Sequence, residues 1–290
     1  MFKIVGVVGA GTMGQSIAEM LAVKGLDVHL VEKTPERLQN AKEMLEQNLD
    51  RQMERWAITA AEKKLILSRI KMETSLQHLA DCELVIETIS EELEDKKDVF
   101  RQLDGILSQD AVIASNTSTL SLTELAGTSR SPERVIGLHF IYSAFRIDLV
   151  EIVRGLQTSD YTFERTKAFI DDVLVMKGVT VYESPGFVTT RLVCLLINEA
   201  LHLLEEGVAS PEDIDSAMSM GYQFEHGPLE MADRFGLDSV LAALEGMFRE
   251  FGELKYRPSF LLKKKVRAGQ LGIKSGIGFF HYGKDGERLS

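Results

Sequence analysis

The chain opens on a short apolar run, Phe2-Lys3-Ile4-Val5-Gly6-Val7-Val8, whose length and β-branched content predict a strand. Gly9-Ala10-Gly11-Thr12-Met13-Gly14 interrupts it, and an amphipathic stretch to Lys24 predicts a helix. A second strand is expected at Asp27–Val31, ending in Glu32. From Pro35 to about Arg69 the chain is strongly charged, with Leu38, Ala41, Leu45 and Leu49 at helical spacing; this predicts two amphipathic helices inserted beside the sheet. Strand-like runs recur at Leu84–Thr88, Ala111–Ser115, Val135–Phe140, Leu149–Val153 and Val179–Tyr182, with helical segments among them. That alternation is the pattern of a mostly parallel sheet covered by helices.

At Pro185-Gly186 the period changes. From Phe187 onward it is helical only, with Val188, Leu192, Leu195, Leu196, Leu203 and Leu204 forming a long apolar stripe. Ser210-Pro211 with Asp213 marks a helix start and Gly221 its stop. Asp238 is expected to open a helix carrying Val240, Leu241, Leu244, Met247, Phe248 and Phe251, and Ser259–Ala268, closed by Gly269, forms the last. So many large apolar side chains in about 100 residues predict that part of this surface is buried in a homodimer.

The glycine turn carries the first chemistry. Gly9 permits the sharp turn, Gly11 lets the backbone approach a pyrophosphate, and Gly14 lets the helix pack close to the strand. Thr12 and Met13 then lie in the first helical turn, whose N-terminus holds the diphosphate. Glu32 stands about 20 residues downstream, where a carboxylate accepts from both ribose hydroxyls and repels a 2′-phosphate; the expected cofactor is NAD. The expected fold is α/β: a Rossmann-like, mostly parallel sheet domain over residues 1–184, then an all-α substrate and dimerisation domain over residues 185–290.

Composition narrows the class. A length of 290 residues suffices for two domains with a core each, and a net charge of −11 disfavours nucleic acid as a partner. No run approaches the ~20 apolar residues of a membrane span, and no charged and apolar leader precedes the first strand, so a cytoplasmic protein with no membrane partner is expected. Cys82 and Cys194 lack metal-ligand spacing, which predicts core thiols and no metal site.

Of six histidines, His29, His78, His202 and His281 lie in strand, helical or terminal contexts that suit structural roles. His139 differs, because it closes a strand at the edge where open α/β sheets bind ligands, and Glu151 follows twelve residues later in the next strand-like run. A general base held by a carboxylate and an ordinary structural His–Glu contact both satisfy this pattern. Ser118, in the strand-closing Asn116-Thr117-Ser118, could bind a reacting oxygen, though turn chemistry alone also explains that loop.

Across essentially its whole length the sequence resembles the L-3-hydroxyacyl-CoA dehydrogenase family, in particular its short bacterial 3-hydroxybutyryl-CoA type. The resemblance is carried by Gly9–Gly14, Ala114–Ser118, Gly137-Leu138-His139-Phe140, Leu149-Val150-Glu151, Pro185–Val188, Asn198-Glu199-Ala200, Pro211–Asp215, Gly227–Glu230 and Lys274–Phe279. It implies an NAD-dependent dehydrogenase of fatty acid metabolism that interconverts a 3-hydroxyacyl thioester, by default of coenzyme A, and its 3-oxo form. On that pattern His139 takes the hydroxyl proton, Glu151 orients His139 and Ser118 contacts substrate. It further implies NAD contacts from Glu32, Glu91, Lys96, Asn116 and Lys274, and a dimer through the helical domain.

Departures from the family pattern cluster on the substrate side. Ile141-Tyr142-Ser143 replaces Phe-Asn-Pro, and Thr189-Thr190-Arg191 replaces Val-Asn-Arg, so two amides are gone and Thr190 offers only a shorter hydroxyl. Asp50 and Ala57 stand where the family often places a serine and a lysine against coenzyme A. Phe224-Glu225-His226 replaces His-Pro-Met, which makes His226 either a second active-site histidine or a surface or capping group. Arg146 occupies an otherwise apolar position: it could pair with a substrate carboxylate or polar acyl group, or form a salt bridge with Asp148 or a solvated charge. Tyr142, Arg146 and Thr190 are thus the substrate-side candidates. Two alternatives follow: the same chemistry on a carrier-protein-bound hydroxyacyl group or a free hydroxy acid, and a non-catalytic NAD-binding structural or sensing dimer.

Overall fold

The computed structural model describes residues 2–141, 148–283 and 285–289, so Tyr142 and Arg146 lie outside the described residues. The chain divides into two compact units, Met1–Glu183 and Ser184–Ser290.

The first unit is built on eight strands: β1 (Ile4–Val8), β2 (Asp27–Val31), β3 (Ile70–Glu73), β4 (Leu84–Glu87), β5 (Val112–Ser115), β6 (Val135–Phe140), β7 (Leu149–Arg154) and β8 (Lys177–Tyr182). They form one sheet in the order β3-β2-β1-β4-β5-β6-β7-β8. Every pairing is parallel except β6 with β7, which is antiparallel. β4, β5 and β6 are buried at every position, so they read as unbroken apolar runs rather than alternating ones. The edge strand β3 has no counterpart in the sequence reading, because Ile70-Lys71-Met72-Glu73 is too short to show a period and buries only Ile70 fully.

Helices α1 (Thr12–Val23), α2 (Pro35–Glu54), α3 (Ala60–Arg69), α4 (Leu93–Ile106), α5 (Leu122–Ala126) and α6 (Asp160–Ala168) pack on this sheet or on each other. The charged insertion docks through one stripe: α2 buries Ala41, Leu45 and Leu49, and Gln52 Nε2 donates to the buried Glu19 of α1 at 2.6 Å. α3 begins with a capping box, in which Thr59 accepts from Glu62 N while the Glu62 carboxylate accepts from Thr59 N. The turn between them holds Trp56 at φ +59° and 94% exposed.

The second unit comprises α7 (Thr189–Glu205), α8 (Pro211–Tyr222), α9 (Pro228–Phe235), α10 (Leu237–Phe251) and α11 (Phe260–Arg267) around a core that includes Ile197, Leu201, Leu229, Leu244 and Tyr256. Gly221 is not the stop of α8: the helix runs to Tyr222, and Gln223 takes the left-handed position at φ +60°. α9, eight residues long, is too short for its period to stand out. Two buried aspartates fix this unit. Asp215 accepts from the amides of Leu229 and Glu230, both at 2.8 Å, and so caps α9; a Cβ on Gly227 would lie 2.3 Å from Asp215. Asp233 accepts from Phe279 N, Phe280 N and Tyr282 Oη, and a Cβ on Gly278 would strike its carboxylate. Several of the segments that carry the family resemblance are therefore locks of the helical fold.

Both cysteines are buried, and burial pushes both thiols up to about 12. Among the described residues, no helix is long and apolar enough to cross a membrane.

Candidate active site

Strands β1 to β6 run in one direction and bring their carboxyl ends to one edge, and the residues that close β1, β2, β4, β5 and β6 meet there. At the end of β1, Gly9 adopts φ +100° and donates to Val31 O, while a Cβ on Gly14 would lie 1.8 Å from Gly9 O. Both glycines are demanded by the protein itself. Gly11 is not: its φ is −72°, open to any residue, and a Cβ there would have no heavy atom within 4 Å. The space over Gly11 and the start of α1, where Thr12 and Met13 lie, fits the backbone approach of a diphosphate. Glu32, closing β2, accepts from Ala10 N at 3.1 Å and Lys33 N at 2.8 Å, which places its carboxylate beside the glycine turn. These residues fit an adenine dinucleotide.

β4 and the start of α4 supply a second group. Lys96 is buried between two glutamates, with Nζ 2.7 Å from Glu87 Oε1 and 3.4 Å from Glu91 Oε2. Glu91 Oε1 accepts from Thr117 Oγ1 at 2.5 Å, Ser118 N at 3.0 Å and Thr119 N at 3.2 Å. Burial pushes the Glu91 carboxyl up, but Lys96 and these donors outweigh it and hold it below the ordinary glutamate range. Asn116 Oδ1 accepts from Phe140 N at 2.9 Å and ties the loop after β5 to the end of β6. The structure thus joins Glu91, Lys96 and the Ser118 amide in one network, with Asn116 in the same loop. Sequence reasoning missed Glu87, whose signal was a carboxylate ending the apolar strand Leu84-Val85-Ile86.

His139 lies one residue inside the end of β6, next to the amide that Asn116 holds. Because β7 runs antiparallel to β6, Glu151 is its direct cross-strand partner. His139 Nδ1 is 2.6 Å from Glu151 Oε2, and Glu151 is fully buried. Opposite an ionised Glu151, which only accepts, Nδ1 would carry the proton and leave Nε2 to act as the base. Across the buried ladder that carboxylate can both fix the ring and stabilise an imidazolium.

The other expected residues belong to the helical unit. Thr190 lies in the first turn of α7. Lys274 Nζ pairs with Asp238 Oδ1 at 2.5 Å and lies over Gly236, where a Cβ would meet its Cε at 2.3 Å. His226 Nδ1 is 3.1 Å from Glu230 Oε1 in the first turn of α9, a side-chain pair rather than a cap. In the first unit, Asp50 pairs with Lys63 of α3 at 2.5 Å.

A glycine-turn dinucleotide site and a histidine–carboxylate pair on the same sheet edge define a nicotinamide-dependent dehydrogenase. Its family follows from comparison with known proteins. The NAD-binding domain of the 3-hydroxyacyl-CoA dehydrogenases matches residues 4–184, and the C-terminal domain of the same enzymes matches residues 186–282. A 3-hydroxybutyryl-CoA dehydrogenase of Bradyrhizobium diazoefficiens is 42% identical over 281 residues, covering 97% of this chain and 95% of that protein. Among solved structures, M. tuberculosis FadB2 superposes with a TM-score of 0.95 at 37% identity, over 97% of this chain and 99% of that one. The (S)-3-hydroxybutyryl-CoA dehydrogenase PaaH1 of Ralstonia eutropha gives 0.90 at 42% identity, over 98% and 100%. The chain belongs to the 3-hydroxyacyl-CoA dehydrogenase family.

Proposed function

We propose that the chain interconverts a 3-hydroxyacyl-CoA and its 3-oxo form with NAD, and that the cross-strand pair of His139 and Glu151 carries the proton. The observation behind this reading is the 2.6 Å contact between a histidine at the carboxyl edge of the sheet and a fully buried carboxylate. In the oxidative direction His139 Nε2 removes the proton of the 3-hydroxyl, and Glu151 stabilises the imidazolium that results. The hydride acceptor would be bound NAD. Gly9, Gly11, Thr12, Met13, Gly14 and Glu32 would hold its adenosine and diphosphate, with Glu91, Lys96, Asn116 and Lys274 as further contacts. Ser118 and Thr190 are assigned to the substrate oxygens.

A homodimer through the helical unit belongs to the same reading. Leu192, Met220, Tyr222, Leu254 and Phe260 of that unit are exposed by 63–83%, and a dimer interface would cover such apolar side chains.

One observation favours a second reading on the carrier. Asp50 is already paired with Lys63, and Ala57 has no polar group, so the α2–α3 turn offers no clear basic landing place for an ADP moiety. NADH oxidation should be compared with acetoacetyl-CoA, its pantetheine thioester and free acetoacetate. Turnover at micromolar acetoacetyl-CoA that is lost without the adenosine part supports coenzyme A as the carrier. Equal turnover with the pantetheine thioester supports a carrier protein. NADH binding without turnover on any of the three would leave the idle NAD-binding dimer.

A further inference from the structure

The loop after β5 is held in an unusual way. Four successive amides, those of Thr117, Ser118, Thr119 and Leu120, donate to side-chain oxygens: Ser115 Oγ, Glu91 Oε1, Glu91 Oε1 and Thr117 Oγ1. Those side chains must themselves be held, or the loop has no fixed conformation. Ser115 Oγ donates to Glu87 Oε2 at 2.6 Å, and Glu91 is held by Lys96, whose shorter contact is Glu87 Oε1 at 2.7 Å. Glu87 also accepts from Ile89 N at 2.7 Å and so fixes the chain just before Glu91. Both routes into the loop therefore converge on one residue.

Glu87 is fully buried in the middle of the sheet, in register with Val8 of β1 on one side and Ser115 of β5 on the other. A buried ion pair seldom stabilises a fold more than apolar residues of the same volume would, so the stability of β4 does not account for this carboxylate. Its position between the glycine turn and the Asn116–Ser118 loop does.

We propose that Glu87 is a positioning residue of the dehydrogenase: through Ser115 and Lys96 it fixes the loop that presents Asn116 and Ser118 at the sheet edge. It reaches neither substrate nor cofactor itself. The proposal rests on the dehydrogenase reading given above. A loop displaced by about 1 Å costs on the order of 10- to 100-fold in turnover without unfolding the protein.

The test uses the full-length E87Q variant, which keeps the shape of the side chain and removes its charge. Expected are a cooperative unfolding transition, a kcat/KM for acetoacetyl-CoA at saturating NADH lowered about 10- to 100-fold, and faster hydrogen exchange at the amides of residues 117–120 with unchanged protection in β1. In a double-mutant cycle with S118A the two losses are less than additive. Wild-type kcat/KM with wild-type exchange at residues 117–120 overturns the proposal, as do strictly additive losses. Should E87Q fail to fold, E87D keeps the charge beside Lys96 but shortens its reach to Ser115 Oγ and Ile89 N; faster exchange at residues 117–120 in that variant supports the proposal, and unchanged exchange overturns it. The exchange measurement needs no turnover. An inactive wild-type enzyme therefore counts against the dehydrogenase reading, while exchange at residues 117–120 still decides the role of Glu87.

Discussion

His139 and Glu151 are directly opposed across the one antiparallel pairing of the sheet, with Nδ1 and Oε2 2.6 Å apart. Twelve residues separate them in sequence, and the reversal of direction between β6 and β7 makes them neighbours. Glu151→Gln keeps an oxygen that can accept from Nδ1 but removes the charge that stabilises the imidazolium. Turnover should fall by about 10²–10⁴-fold while the NADH dissociation constant stays within a factor of about three. Steady-state rates and NADH fluorescence titration check this, and a wild-type rate would make the contact merely structural.

Gly11 and Gly14 should separate cofactor binding from folding. Gly14→Ala places a methyl group against Gly9 O, where it would lie at 1.8 Å, and should destabilise the protein by about 1–3 kcal/mol. Gly11→Ala meets nothing in the protein, so its melting temperature should match wild type while NADH affinity drops by about tenfold or more. Unchanged NADH affinity in Gly11→Ala would remove the diphosphate from that turn.

On the proposed ribose contact, Glu32 should set the preference between the two nicotinamide cofactors. Loss of a charge-assisted contact in Glu32→Ala should weaken NADH binding by about 10- to 100-fold and narrow the gap to NADPH. Parallel titrations with both cofactors test it. An unaltered NADH to NADPH ratio counts against the ribose assignment.

Asp104 of α4 predicts a pH effect on stability. Burial pushes its carboxyl up, but Ser129, Arg134 and the amide of Arg130 all donate to it and hold it below the ordinary aspartate range. A depressed folded-state value stabilises the protein fully above the unfolded value of about 4, and that stabilisation disappears as pH falls through the lower folded value. Asp104→Asn should thus melt at a lower temperature near pH 7 and lose less on acidification below pH ~4. Melting curves from pH 3 to 7 that stay parallel for the two proteins would contradict this.

Much of the first unit was legible because strands buried on both faces are spelled as unbroken apolar runs, as in Leu84-Val85-Ile86. The glycine turn and Glu32 were legible because their spacing is set by local geometry. Strand direction was not, since a run such as Leu149–Val153 reads the same either way; contact between His139 and Glu151 could be expected, but not their direct opposition across an antiparallel pair. The Glu87–Lys96 pair stayed hidden for a related reason. Its partners lie on a strand and on the helix after it, and only the packing of α4 against the sheet turns Lys96 inward. In the helical unit, local sequence did not mark Asp215 and Asp233 as buried locks; that role follows from amides 14 to 47 residues further along the chain that donate to them.

The decisive experiment is the rate of NADH oxidation by His139→Gln with acetoacetyl-CoA, measured beside its NADH affinity. Turnover lowered by about 10²–10⁴-fold with NADH binding nearly unchanged is expected of a lost general base. A rate equal to wild type would take His139, and with it the pair it forms with Glu151, out of the reaction.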